Sequence, residues 1–312
     1  MGDKKIGWSL LVGSLLFLCG CGGSSGAQLD SSDSEVFGAV SDSVEIETET
    51  SDTDTDTDID IDETPPEIAV VPDNDENEIV PLTTQEMFFY SVTGVSYPVD
   101  IYLPEDYNAS DETYPIIYAT DGQWTSLGYS WIVNASGKSV ILVSIHQGGP
   151  GNRRSVDYSL PGATTYYDFL ATELVPTIES RFRVDSSDRM LVGSSRGGVL
   201  MTVVLFIDDV VTPLFNKILM MDTPFLLIHN QETRQLEEAR FAASQDMNVR
   251  IMMTSALLPA ASGPFDTDTT AFQELLESRD YNGLEIIRRA YQVDHFNVNT
   301  PSFIDAMQLL ID

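Results

Sequence analysis

Nine residues constrain this chain more than any others: Met190-Leu191-Val192-Gly193-Ser194-Ser195-Arg196-Gly197-Gly198. Arg189–Val192 reads as a buried strand, and the apolar run Gly198–Ile207 reads as a buried helix. A chain that passes from strand to helix within so few residues must turn sharply. The residue at the tip is strained, and its neighbours must be small so that strand and helix can approach. The register Gly193-x-Ser195-x-Gly197 puts Ser195, rather than Ser194, at that tip. The helix that follows aims its N-terminal amides at any negative charge developing there.

The rest of the sequence supplies a scaffold for such a turn. Phe88–Val95 and Val99–Leu103 read as an initial pair of strands, with further strands at Tyr114–Thr120, Ser139–Ile145, Lys217–Met221 and Val249–Thr254. Helical spacing runs over Thr165–Phe182, with Phe169, Leu170, Leu174, Ile178 and Phe182 on one stripe, and Phe272–Glu277 and Pro301–Ile311 also look helical. Strands alternating with helices predict an α/β domain with a mainly parallel central sheet covered on both faces, its site at the carboxyl ends of the strands.

A serine is a weak nucleophile until a base takes its proton. The chain has three histidines, His146, His229 and His295. His295, in Asp294-His295-Phe296 before the last helix, is the expected base. His229 comes too early to leave room for an acid between it and the serine. That acid, which would hold the imidazole tautomer, is expected in the loop after Val249–Thr254, which offers Asp266, the preferred residue, and Asp268. Asp294 adjoins His295 too closely for the required geometry. The oxyanion is expected to meet two backbone amides, that of Arg196 and that of Gln123 or Gly122, after Tyr114–Thr120. No HExxH-type spacing is present, so no metal or other cofactor is expected.

The N-terminus has a different character. Lys4 and Lys5 precede the apolar run Ile6–Leu18 and the small residues around Cys21, the pattern of a secretory signal. The run is shorter than the roughly 20 residues that span a bilayer. Leu18-Cys19-Gly20-Cys21 is similar to a bacterial lipobox, which implies a diacylated Cys21 as the new first residue. Cys19 and Cys21 are the only cysteines, so the folded part is expected to hold no disulfide. Residues 27–80 carry 19 acidic side chains and no Lys or Arg, including a Thr-Asp alternation without EF-hand spacing. Such composition cannot build a core and predicts a disordered tether of roughly 40 Å end to end. The expected organisation is therefore a signal peptide over 1–21, a tether over 22–82 and a catalytic domain over 83–312. The net charge is −33, and the catalytic domain is acidic as well, which argues against a nucleic-acid partner and against adhesion to anionic lipid. It also argues against anionic substrates, unless a local patch such as Arg153-Arg154 offsets it.

Taken in order, these motifs resemble the esterase D-like family of α/β-hydrolases, over about residues 92–310. The likeness rests on Ile101-Tyr102-Leu103-Pro104 with Tyr107, Tyr114–Tyr118 with Asp121-Gly122-Gln123, Arg154 with Asp157-Tyr158, Phe169-Leu170 with Glu173–Pro176, Gly193–Gly198, and Asp294-His295-Phe296. The resemblance implies an α/β-hydrolase fold and a Ser-acid-His triad or a Ser-His dyad acting on carboxylic esters. Two segments depart from the family's pattern: Thr254–Pro259, where members often carry a Gly and a Glu, and Asp222-Thr223-Pro224-Phe225, where a Ser-Pro-Ser is commoner. The expectation is a lipid-anchored serine esterase outside the cytoplasm, acting on a small-molecule ester as a monomer or small homo-oligomer. An acyltransferase with the same machinery, or an inactive binding lipoprotein, is the alternative.

Overall fold

The computed structural model describes residues 83–90, 92–225, 230–258 and 265–311. The expected signal segment with Cys21, the expected tether and His229 lie outside them. The backbone divides into two units, Met1–Asp58 and Ile59–Asp312, and every described residue belongs to the second.

One sheet of eight strands organises this unit, in the order β1-β2-β4-β3-β5-β6-β7-β8. The strands are β1 (Thr83–Tyr90), β2 (Val95–Tyr102), β3 (Tyr114–Thr120), β4 (Ile141–Ile145), β5 (Val184–Ser194), β6 (Lys217–Met221), β7 (Arg250–Ala256) and β8 (Glu285–Tyr291). β1 pairs antiparallel with β2 and β2 antiparallel with β4; every other pairing is parallel. The first two strands start earlier than the hydrophobic runs suggest. Val92 and Thr93 belong to the hairpin turn, where Gly94 adopts φ 71° and its amide donates to the Tyr90 carbonyl at 2.9 Å.

The helices are α1 (Gly122–Ser136), α2 (Arg154–Asp157), α3 (Gly162–Phe169), α4 (Val175–Arg181), α5 (Arg196–Ile207), α6 (Gln231–Ala243), α7 (Phe265–Arg279) and α8 (Asn299–Leu309). A π-helical turn, Leu170–Leu174, joins α3 to α4, so the stripe read from the sequence forms one continuous rod. The strand residues explain why both faces are covered. Side chains alternate across a strand, and here both sets are apolar. Ile116, Tyr118, Leu191, Ile218, Met220, Ile251 and Met253 pack on one side with α3, α4, α5 and α7. Ile117, Ala119, Met190, Val192, Leu219, Met221 and Met252 pack on the other with α1 and α8. Within that second layer Tyr129 of α1 stacks on Phe303 of α8, ring centroids 4.0 Å apart.

Candidate active site

β5 ends at Ser194 and α5 begins at Arg196, which leaves Ser195 alone to make the turn. Its backbone sits at φ 51°, ψ −121°, a region that L-residues avoid at a cost of roughly 1–3 kcal/mol. The surroundings hold it there. Its amide donates to the Met221 carbonyl at 2.8 Å, and its carbonyl accepts from Gly198 N at 2.9 Å. The close approach foreseen for the flanking glycines is real: a Cβ on Gly193 would lie 2.5 Å from the Gly197 backbone. Ser195 is 7% exposed, at the carboxyl edge of the sheet.

In the next strand the register pairs Ser194 with Met221, so Ser195 and Asp222 follow directly from a matched pair of neighbouring strands. Asp222 also has a positive φ, 41°, and its amide donates to the Thr254 carbonyl at 2.9 Å. Both carboxylate oxygens are engaged: Oδ1 accepts from Ala256 N at 3.0 Å, and Oδ2 lies 2.6 Å from His295 Nδ1. Asp222 and His295 are 1% and 7% exposed. Burial makes an unpaired carboxylate costly, so this pairing is what holds the charge in place. His295 reaches the site from the segment between β8 and α8, which crosses the end of β7 through Leu257 N to Tyr291 O (2.9 Å) and Leu258 N to Val293 O (3.0 Å).

The structure therefore corrects the expected acid. Asp266 does not meet the imidazole. It lies in the first turn of α7, a helix that starts earlier than its apolar residues indicated, and its carboxylate pairs with the Arg288 guanidinium, which also donates to Ser255 Oγ. Asp268 belongs to the same turn. Asp294 closes its own turn, accepting from Phe296 N and Asn297 N at 3.0 Å each. The carboxylate on His295 comes from the end of β6, one strand earlier than expected. Its signal in the sequence was an acidic residue directly after the apolar run Lys217–Met221.

The expected oxyanion amides lie at two helix starts, Gln123 in the first turn of α1 and Arg196 at the first position of α5. The opening amides of a helix lack i−4 carbonyl partners. Asp121 makes the turn into α1 at φ 62°. Gly122 must be glycine, since a Cβ there would lie 2.7 Å from His146 Cδ2 and 2.8 Å from the Ser144 carbonyl. Gln123 Oε1 accepts from Gln147 N at 3.0 Å, which ties the turn to the end of β4.

Sequence reasoning noted Arg154 but missed its task. Its guanidinium grips both oxygens of Asp121, Nε to Oδ1 at 2.9 Å and Nη2 to Oδ2 at 3.1 Å, and Nη2 also donates to the Ser194 carbonyl at 3.1 Å. One buried cation thus clamps the turn before α1 to the residue before Ser195. Its plane also lies near the Trp124 and Tyr158 rings, 5.6 and 5.9 Å from their centroids. Arg153 pairs with Asp157 at 2.8 Å. The Arg153-Arg154 pair considered as an anion-attracting patch is thus bonded to carboxylates within the domain. His146 pairs with Asp100 at 2.8 Å and follows β4, which β3 separates from the serine-bearing β5 in the sheet.

An open, mainly parallel sheet with a serine turn after β5 and a His–Asp pair at its carboxyl edge defines the α/β-hydrolase fold. Residues 91–208 match the family described as "Putative esterase". That segment includes Ser195, Arg196 and Gln123 and stops short of Asp222 and His295. Esterase Rv1288 of Mycobacterium tuberculosis is 30% identical over 132 residues, 40% of this chain. The chain spans 29% of the length of the curated relatives it matches. Among solved structures, an IroE-like serine hydrolase from Shewanella oneidensis superposes with a TM-score of 0.62 at 23% identity, over 73% of this chain and 79% of that one. Siderophore hydrolase EstB from Aspergillus nidulans superposes at 0.59 with 19% identity, over 75% and 97%.

Proposed function

We propose that this chain is a serine esterase, held outside the cytoplasm by a lipid on Cys21, that hydrolyses carboxylic esters through an acyl-enzyme. The observation that carries the reading is the buried Asp222–His295 pair, set one strand from a serine in strained backbone. With Nδ1–H donating to Asp222, His295 keeps Nε2 as the base. Ser195 gives its proton to Nε2 while Oγ attacks the ester carbon, and Asp222 stabilises the imidazolium. The amides of Arg196 and Gln123 receive the oxyanion. The imidazolium then protonates the departing alcohol, and a water activated the same way releases the acid. Arg154 acts as a positioning residue, keeping the oxyanion turn and the serine turn in fixed relation.

The esterase match and the serine- and siderophore-hydrolase neighbours support a small ester as substrate. With Arg153 and Arg154 already paired, an uncharged ester suits the site better than a polyanionic one. Hydrolysis of p-nitrophenyl acetate by the wild type and by Ser195→Ala tests the chemistry; equal rates would end the proposal. Metabolic labelling with a fatty acid, in wild type and Cys21→Ser, tests the anchor separately.

A further inference from the structure

We infer that the half of the substrate carrying the alcohol is apolar, and that Phe265, Phe296, Leu257 and Leu258 receive it. The inference rests on the esterase reading above. In acylation the Ser195 Oγ–carbon bond forms and the carbon–oxygen bond to the alcohol breaks. The proton taken from Ser195 by His295 Nε2 passes to the departing oxygen, so no outside oxidant or reductant is needed. The leaving oxygen must therefore sit against His295, and the alcohol behind it against whatever surrounds that imidazole.

Those surroundings are apolar and open. Two rings stand edge-on to His295, Phe265 at 5.3 Å and Phe296 at 5.4 Å between centroids. Phe296 is 39% exposed, and Leu257 and Leu258, on the extension of β7, are 41% and 47% exposed. Large apolar side chains left in contact with water beside a reactive group mark a surface that something else covers. The charges nearby are engaged elsewhere. Asp266 is held by Arg288, and Asp294 by its own turn. The opposite flank differs. Beside Gly122 and Gln123 lies an open cleft of about 350 Å³, lined by Gln85, Asp100, Trp124, Ser126 and His146 among others. That lining mixes Leu127 and Trp124 with the paired Asp100 and His146, whereas the side chains named around His295 are all apolar.

Benzyl acetate and 2-hydroxyethyl acetate test this. They share an acyl group and so form the same acyl-enzyme, and their alcohols are both primary. They differ in the body presented to the His295 flank. After division by the rate of hydroxide-catalysed hydrolysis, kcat/KM for the benzyl ester is expected to exceed that for the hydroxyethyl ester by roughly tenfold or more. The ratio should fall severalfold in Phe296→Ser and in Leu258→Ser, the second serving if the first does not fold. A ratio near one in the wild type overturns the inference, as does an equal loss for both esters in both variants. Failure to hydrolyse either ester, or p-nitrophenyl acetate, overturns the esterase reading itself and this inference with it.

Discussion

His295 Nδ1 and Asp222 Oδ2 lie 2.6 Å apart although 73 residues separate them in sequence. Asp222 directly follows the buried β6 and its amide is bonded to Thr254 of β7, whereas His295 lies four residues beyond the end of β8. Asp222→Asn should reverse the imidazole tautomer or leave it unheld, lowering kcat/KM on p-nitrophenyl acetate by about 10⁴-fold. Asp266→Asn should have a far smaller effect. Comparable losses in the two variants would restore Asp266 as the acid.

Arg154 is buried and pairs with the buried Asp121, Nε to Oδ1 at 2.9 Å. Removing the cation takes a counter-charge from a buried carboxylate and frees the turn before α1. Arg154→Met should cost about 3–5 kcal/mol in denaturant unfolding. The double variant Arg154→Met, Asp121→Leu should recover part of that stability and none of the activity, because the oxyanion turn stays unclamped. Full recovery of activity would remove the positioning role.

The Asp100 carboxyl has a folded-state pKa below its ordinary value. Burial pushes it up, but hydrogen bonds from Ser126, His146 and Gln85 outweigh burial. A depressed carboxylate stabilises the fold above its unfolded pKa of about 3.9, and that contribution disappears as pH falls through the lower folded value. The stability gap between wild type and Asp100→Asn should therefore be full at neutral pH and close below about pH 4. Unfolding curves from pH 7 to pH 3 read this directly; a gap that does not change with pH counts against it.

Gly193 leaves no room for a methyl group, since the atom it would meet at 2.5 Å is backbone of the neighbouring turn. Gly193→Ala must push α5 away from β5. The expected cost is about 1–3 kcal/mol of stability, with a loss of kcat larger than the change in KM, because the displaced element carries the oxyanion amide. Unaltered kcat in a folded variant would show that the turn tolerates the shift.

Much of this arrangement was legible in the residues. β3 and β6 fall on Tyr114–Thr120 and Lys217–Met221 as read, because strands buried on both faces are uninterrupted apolar runs. β8 was not recognised. As the edge strand, with Glu285, Arg288 and Arg289 among its seven residues, it lacks the apolar continuity that gives the others away. α1 was hidden for a related reason: Gly128, serines and threonine dilute its apolar face. The serine and the histidine could be placed from local pattern and chain order. The acid could not, because the ends of β6, β7 and β8 all lie between them and only the folded path of residues 292–298 decides which one the imidazole meets.

The nucleophile turn, completed by residue 198, precedes His295 by about 100 residues, and α8, which stacks Phe303 on Tyr129 behind the site, comes later still. At a translation rate of about 5–20 residues per second, that interval lasts roughly 5 to 20 s. During it the nascent chain holds a hydroxyl with no base to activate it. The two groups that the proposed mechanism pairs are thus made in a fixed order: the hydroxyl comes first, and the stretch between β8 and α8 later carries the imidazole to it.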